Sequence, residues 1–125
     1  LTEAWCGDSA QNLPVIAAIA AINTNKIKLL IALRDQHKGL MDQHLTNGAR
    51  AIPKLISIND VMGNENFEWG PRPAEAQMLL TNWKNNPAGR TWDDFEKELH
   101  GWYANDKTNS IQQEFIDLLT QIKSS

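Results

Sequence analysis

Cys6 is the only cysteine in this 125-residue chain and the residue with the most chemistry to offer. A lone thiol excludes an intramolecular disulfide framework and any zinc site built on several thiolates. What makes it informative is its position. Gly7-Asp8-Ser9 supplies a turn and capping residues before Ala10 to Asn23, an alanine-rich stretch that reads as a helix, so the thiol stands at a helix N-terminus. Unpaired N–H groups and the positive end of the helix dipole there favour thiolate over thiol. The carboxylate of Asp8 opposes this, to a degree set by whether it turns to solvent or caps the helix. Ser9 brings a hydroxyl able to donate to the thiolate.

Other residues offer less. His37, His44 and His100, taken with Asp35 or Asp42, lack the tight spacing of metal ligands, since His37 and His44 are seven apart on loop and helix. No metal site and no cofactor are expected. Ser9 and His44 do not make a hydrolase triad without a Gly-x-Ser-x-Gly elbow. Trp83, Trp92 and Trp102 sit beside Leu and Phe at helical spacing and read as core anchors.

Composition narrows the partners. Twelve basic against fifteen acidic residues leave a net charge of −3, with no basic stripe for a phosphate backbone, so nucleic acid is not expected. The longest apolar run, Val15 to Ile22, is eight residues against the roughly 20 that span a bilayer, so no membrane partner is expected. Glu3 and Asp8 precede that run where a secretory leader would be basic, and the chain does not begin with Met.

The elements that must position Cys6 follow from periodicity. Leu1 to Trp5 reads as the tail of a strand. The helix after it has Leu13, Ile16, Ile19 and Ala20 on one face, with a kink expected at Pro14. Ile27 to Leu33 is a near-continuous apolar run of the kind a parallel strand covered on both faces shows, completing a right-handed βαβ unit. A helix from about Gly39 to Asn47, with Leu40, Met41, His44 and Leu45 inward, ends at Gly48. Ile52 to Ile58 and Phe67 to Trp69 read as two antiparallel strands joined by the turn Asn59 to Asn66. Pro73 opens a helix over Ala74 to Asn85, with Met78, Leu79 and Trp83 inward. Beyond the linker Asn85 to Gly89, two amphipathic helices form a hairpin. Thr91 caps the first, whose stripe is Trp92, Phe95, Leu99, Trp102 and Tyr103; Asn109 with Gln112 caps the second, whose stripe is Ile111, Phe115, Leu118, Leu119 and Ile122.

In this order the elements resemble the thioredoxin fold. Trp5-Cys6-Gly7 is similar to the start of the Trp-Cys-Gly-Pro-Cys motif, and Pro14 falls at the family's helix-kinking proline. Arg50-Ala51-Ile52-Pro53 resembles the segment whose cis-proline faces the active cysteine, and Trp69-Gly70 resembles the place where a glycine completes the peptide groove. The run from Thr2 to Pro14 is similar to bacterial thioredoxin-like proteins that carry Cys-Gly-Asp in place of a dithiol motif. The resemblance implies an α/β fold, a mixed sheet flanked by helices. Residues 1–86 would form the core and 87–125 a helical hairpin packed on it. It also implies that the strand before Trp5 is central. Leu1 to Ala4 spans only about 13 Å at about 3.3 Å per residue, so a longer native chain, with a first strand and helix upstream, is expected.

Ser9 stands where the resolving cysteine of the motif would be. A dithiol cycle is therefore impossible within this chain, and the resemblance implies a monothiol protein acting on a protein disulfide or a low-molecular-weight thiol. Cys6 would be the nucleophile and Ser9 its helper. Ile52 and Pro53 would present backbone to an extended substrate, with Trp5 and Trp69 as apolar walls, Gly70 at the edge and Arg72 at the rim facing an acidic group. The location expected is the cytoplasm. The rival reading is a non-catalytic interaction domain that uses the same groove. A peroxidase-like role would have only Arg50 to assist Cys6.

Overall fold

The computed structural model describes residues 1–22, 27–59 and 63–124. The architecture is α/β. Helix α1 is Gly7–Ile22, and a 3-10 turn at Arg34–Gln36 leads into the short α2, Lys38–Asp42. Strands β1, Leu55–Ile58, and β2, Glu65–Trp69, follow, and then α3, Ala74–Asn85, α4, Trp92–Asp106, and α5, Asn109–Ser124. The Asn23 end expected for α1, part of the Asn59 to Asn66 turn and the side chain of Ile122 lie outside the described residues. Among the described residues no helix is long and apolar enough to cross a membrane.

β1 and β2 are antiparallel, with Leu55 opposite Trp69, Ile56 opposite Glu68 and Ser57 opposite Phe67. Ile58 then faces Glu65, which leaves Asn66 as an extra residue and makes a bulge. The Leu1–Thr2 segment lies between this hairpin and the chain at residues 32–34. Leu1 and Lys54 exchange backbone hydrogen bonds of 2.7 and 3.0 Å. On its other side, Thr2 N–H donates to the Ala32 carbonyl and the Thr2 carbonyl accepts from Arg34 N–H, a single parallel bridge to Leu33.

Ile27 to Leu33 departs from expectation here. The run has one bridge, at its C-terminal end, and Leu30 and Ile31 are 76% and 62% exposed. A strand exists only where a neighbour supplies donors and acceptors along its length. Thr2 supplies one position, and residues 27–31 have no such neighbour among the described residues.

The helices carry two cores. Ala76 and Leu80 of α3 pack with Phe95, Leu99 and Tyr103 of α4, and Trp83 stacks on Phe95 with ring centroids 5.2 Å apart. Ile16 of α1 packs with Trp69 of β2 and with Ile111 and Phe115 of α5. Met78 is 63% exposed rather than inward, because Ala76 and Leu80 hold the buried face of α3. Likewise Trp92 sits at the edge of its stripe, half exposed.

Caps decide where the helices start. Thr91 Oγ1 accepts from Asp94 N–H at 3.2 Å while the Asp94 carboxylate accepts from Thr91 N–H at 3.0 Å, a reciprocal capping box that holds the Asp94 carboxyl below its ordinary pKa. Asn109 does not cap α5; it is the first helical residue, and Asp106 takes the role by accepting from both the N–H and the hydroxyl of Ser110. Pro73 is the N-cap of α3 rather than its first residue and offers no side-chain acceptor. Glu114 of α5 fills the gap, one oxygen accepting from Ala74 N–H and the other from the Trp69 indole. α2 stops at Asp42, short of Asn47, and further on Asn47 and Gly48, both with positive φ, turn the chain between Thr46 and Ala49.

Candidate functional site around Cys6

α1 begins immediately after Cys6, whose carbonyl accepts the helical bond from Ala10 N–H at 3.1 Å. The thiol is half-buried and donates to the Ile52 carbonyl, with Sγ 3.4 Å from the oxygen. Ile52–Pro53 is a cis peptide, and both residues are buried. Gly70 closes this corner. Its φ is +123°, and a Cβ there would lie 2.1 Å from the Pro53 carbonyl oxygen, so the approach of the two segments requires glycine. Cys6, Ile52, Pro53 and Gly70 thus lie together at one corner.

Trp5 and Trp69, expected as paired walls, separate. Trp5 is 67% exposed, with the Arg34 guanidinium 5.0 Å from its ring centre. Trp69 is turned into the core against Phe115 and ties its indole N–H to Glu114, because its place opposite Leu55 faces the helices. Ser9 is buried, and its hydroxyl oxygen accepts from Thr2 at 2.7 Å. Among the described residues no hydrogen bond joins Ser9 to Cys6.

Asp8 takes neither course open to it in the sequence. Its carboxylate is held inside the protein by Arg72, with Nη2 at 3.0 Å and Nε at 3.3 Å on one oxygen and the Tyr103 hydroxyl at 2.6 Å on the other. Asn12 closes the network, its amide donating to the Asp8 carbonyl and to the Tyr103 oxygen. Burial first, and then the Asp8 charge, push the Tyr103 phenol well above its ordinary pKa, so it stays a neutral donor. Two consequences follow for the thiol. The negative charge two residues from Cys6 is answered by a guanidinium, and that guanidinium is not free for an acidic substrate. Arg50 is also engaged, forked on Asp42 at 2.7 and 3.1 Å, which removes the one assistant for peroxide chemistry.

Helix α4 supplies what the sequence reading missed. A cleft of about 250 Å³ opens beside Cys6 between Trp5, Asp8, Arg72, Trp92 and His100. Its floor is set by Tyr103, and a Cβ on Gly7 would sit 3.6 Å from the His100 ring, so α4 lies close over the start of α1. Trp92 and Tyr103 carried a signal, the helical stripe, but that pattern says only that a face is covered and not by what.

Among curated proteins and solved structures, none is similar enough to match the chain. The profile of the family described as thioredoxin matches residues 1–84, a span that holds Cys6, the Ile52–Pro53 corner and Gly70 and ends within α3. With more than half of its length in that match, the chain belongs to the thioredoxin family.

Proposed function

We propose that the protein exchanges disulfides through Cys6 alone. The observation that carries this reading is the thiol's position, first at the start of α1 and 3.4 Å from the Ile52 carbonyl beside Pro53, with an open cleft next to it. In the first step the Cys6 sulfur attacks one sulfur of a disulfide; the old S–S bond breaks, a mixed disulfide forms, and the leaving sulfur departs as thiolate and takes up a proton. In the second, an external thiolate attacks the substrate-side sulfur, which frees Cys6 and leaves a new disulfide. No net oxidation of the protein occurs. In a reducing compartment such as the bacterial cytoplasm, a low-molecular-weight thiol such as glutathione supplies that second step. Ile52 and Pro53 present backbone to the incoming chain, Trp5 and Trp92 give it apolar surface, and Ser9 holds the turn through Thr2.

The test is incubation of the folded protein with glutathione disulfide, followed by intact mass and by release with fresh thiol. The expected result is one adduct at Cys6, formed faster than in the urea-unfolded chain, resolved by added thiol and absent from Cys6→Ser. An adduct rate no greater than that of the unfolded chain would sink the catalytic reading. The rival, a groove that only binds extended peptides, would then be favoured, and Cys6→Ser would bind as the parent does.

A further inference from the structure

His44 is 4% exposed and does not line the Cys6 cleft. Its Nδ1 lies 3.0 Å from the Leu40 carbonyl, which only accepts, so that nitrogen carries the hydrogen. The other nitrogen, Nε2, is therefore turned toward the Glu65 carboxylate, 2.5 Å away. With a neutral ring, a lone pair would face a carboxylate oxygen. Glu68 adds a second carboxylate, and one ligand atom from each of the three residues lies within 4.8 Å of the others.

The β-bulge makes this possible. Three residues apart on a regular strand, Glu65 and Glu68 would point to opposite faces. Because Asn66 is the extra residue, Glu65 lies opposite Ile58 and Glu68 opposite Ile56, and two positions apart on β1 means one face. Lys54 Nζ, 3.9 Å from Glu68, balances one of the two charges and leaves a net negative site when the imidazole is neutral.

We propose that His44, Glu65 and Glu68 form a binding site for a divalent transition-metal ion such as Zn²⁺, held by Nε2 and two carboxylate oxygens. An imidazole nitrogen with carboxylate oxygens is a donor set that suits zinc, and a liganding histidine commonly donates its other N–H to a backbone carbonyl, as His44 does to Leu40. Bond lengths near 2.0–2.2 Å put neighbouring ligand atoms about 3.3 Å apart in a tetrahedron. Reaching that requires Nε2 and Glu65 to part by under about 1 Å and Glu68 to close in. Both carboxylates are about half exposed and free to make that adjustment, and the open side leaves the fourth position to water. The ion would pin the segment after α2 to the hairpin. The acidic partners of His44 come from β2 rather than from Asp35 or Asp42.

The experiment is titration of the full chain, carrying Cys6→Ser to remove the thiol as a competing ligand, with ZnCl₂ at pH 7.5 by isothermal calorimetry. The expected result is saturable binding of one ion per chain with a rise in melting temperature. Glu65→Gln with Glu68→Gln should weaken binding by at least about tenfold and abolish the rise. These side chains are half exposed and keep their shape as amides, and far-UV circular dichroism checks the fold; Glu68→Gln alone serves if the double variant is unfolded. Absence of saturable binding, or equal binding and equal stabilisation in the glutamine variants, would overturn the proposal.

Discussion

Around Phe95 the core is made by α3 and α4, neighbours in sequence joined by a short linker and started by the Thr91 capping box. Around Trp69 and Phe115 it is made by α1, β2 and α5, from both ends of the chain, and Glu114 joins α5 to the start of α3. The first is a local helical pair, whose contacts close short loops; the second exists only after distant segments have met. Between them lies the network of Asp8, Arg72 and Tyr103, one residue each from α1, the turn before α3, and α4. The candidate site sits at that junction. Its thiol stands just before the helix of the second core, and its cleft is walled by the helix of the first.

The largest expected effect comes from emptying either core. Phe95→Ala and Phe115→Ala should each lower the unfolding free energy by about 3–5 kcal/mol, read by urea denaturation. Hydrogen exchange separates them: Phe95→Ala should speed exchange first in α3 and α4, and Phe115→Ala first in α1 and β2. Identical exchange patterns would mean that the two cores open as one unit and that the distinction has no energetic content.

A smaller effect should follow from cutting the junction. Arg72→Leu leaves the Asp8 carboxylate inside the protein without its cation, at a cost of about 2–3 kcal/mol given that both side chains keep 12–13% of their exposure. If the network couples the cores, this variant should also let α4 exchange faster without disturbing the α3–α4 contacts. A loss below about 0.5 kcal/mol in the same urea titration, the range of an ordinary surface change, would show that the pair does not hold the junction.

The smallest effect sharpens the contrast from the side of the hairpin. The bond to the Leu40 carbonyl, and after it Glu65 and Glu68, outweigh desolvation and raise the His44 pKa above 6.5. A raised folded-state value means that protonation stabilises the fold. That stability is fully present below about 6.5, the unfolded value, and is lost as pH rises through the folded value. Metal-free protein should therefore lose stability as pH rises from 6 through neutrality, in urea titrations at fixed ionic strength. His44→Gln should flatten that slope, and an unchanged slope would exclude His44 as its source.

Much of this was legible in the residues, for physical reasons that differ from segment to segment. The amphipathic stripe over Trp92–Asp106 and its Thr91 cap are local, since both arise from atoms within a turn or two of the chain. Cys6 at the start of a helix, and the antiparallel pairing of β1 with β2, are local in the same sense. Ile27 to Leu33 has strand-like composition but a single bridge, because a strand is a relation between segments and apolar content says nothing about whether a partner runs alongside. Trp69 is placed at the groove by resemblance alone, which aligns its position on the chain but not the face its side chain takes; opposite Leu55 that face meets the core.

By itself the sequence determined elements that close within themselves: the helices among the described residues, the cap at Thr91, and the lone thiol at a helix start. Apart from the Ile52–Pro53 corner, which resemblance alone implies, tertiary structure decided what surrounds that thiol. Asp8 meets Arg72 and Tyr103 across gaps of 64 and 95 residues, Ile52 reaches Cys6 across 46, and a one-residue bulge carries Glu65 and Glu68 to the same side as His44. None of these partners shares a turn of chain with the other, so no periodicity encodes them. They are set by which faces the two cores bury and by Gly70, where backbone comes too close for a side chain.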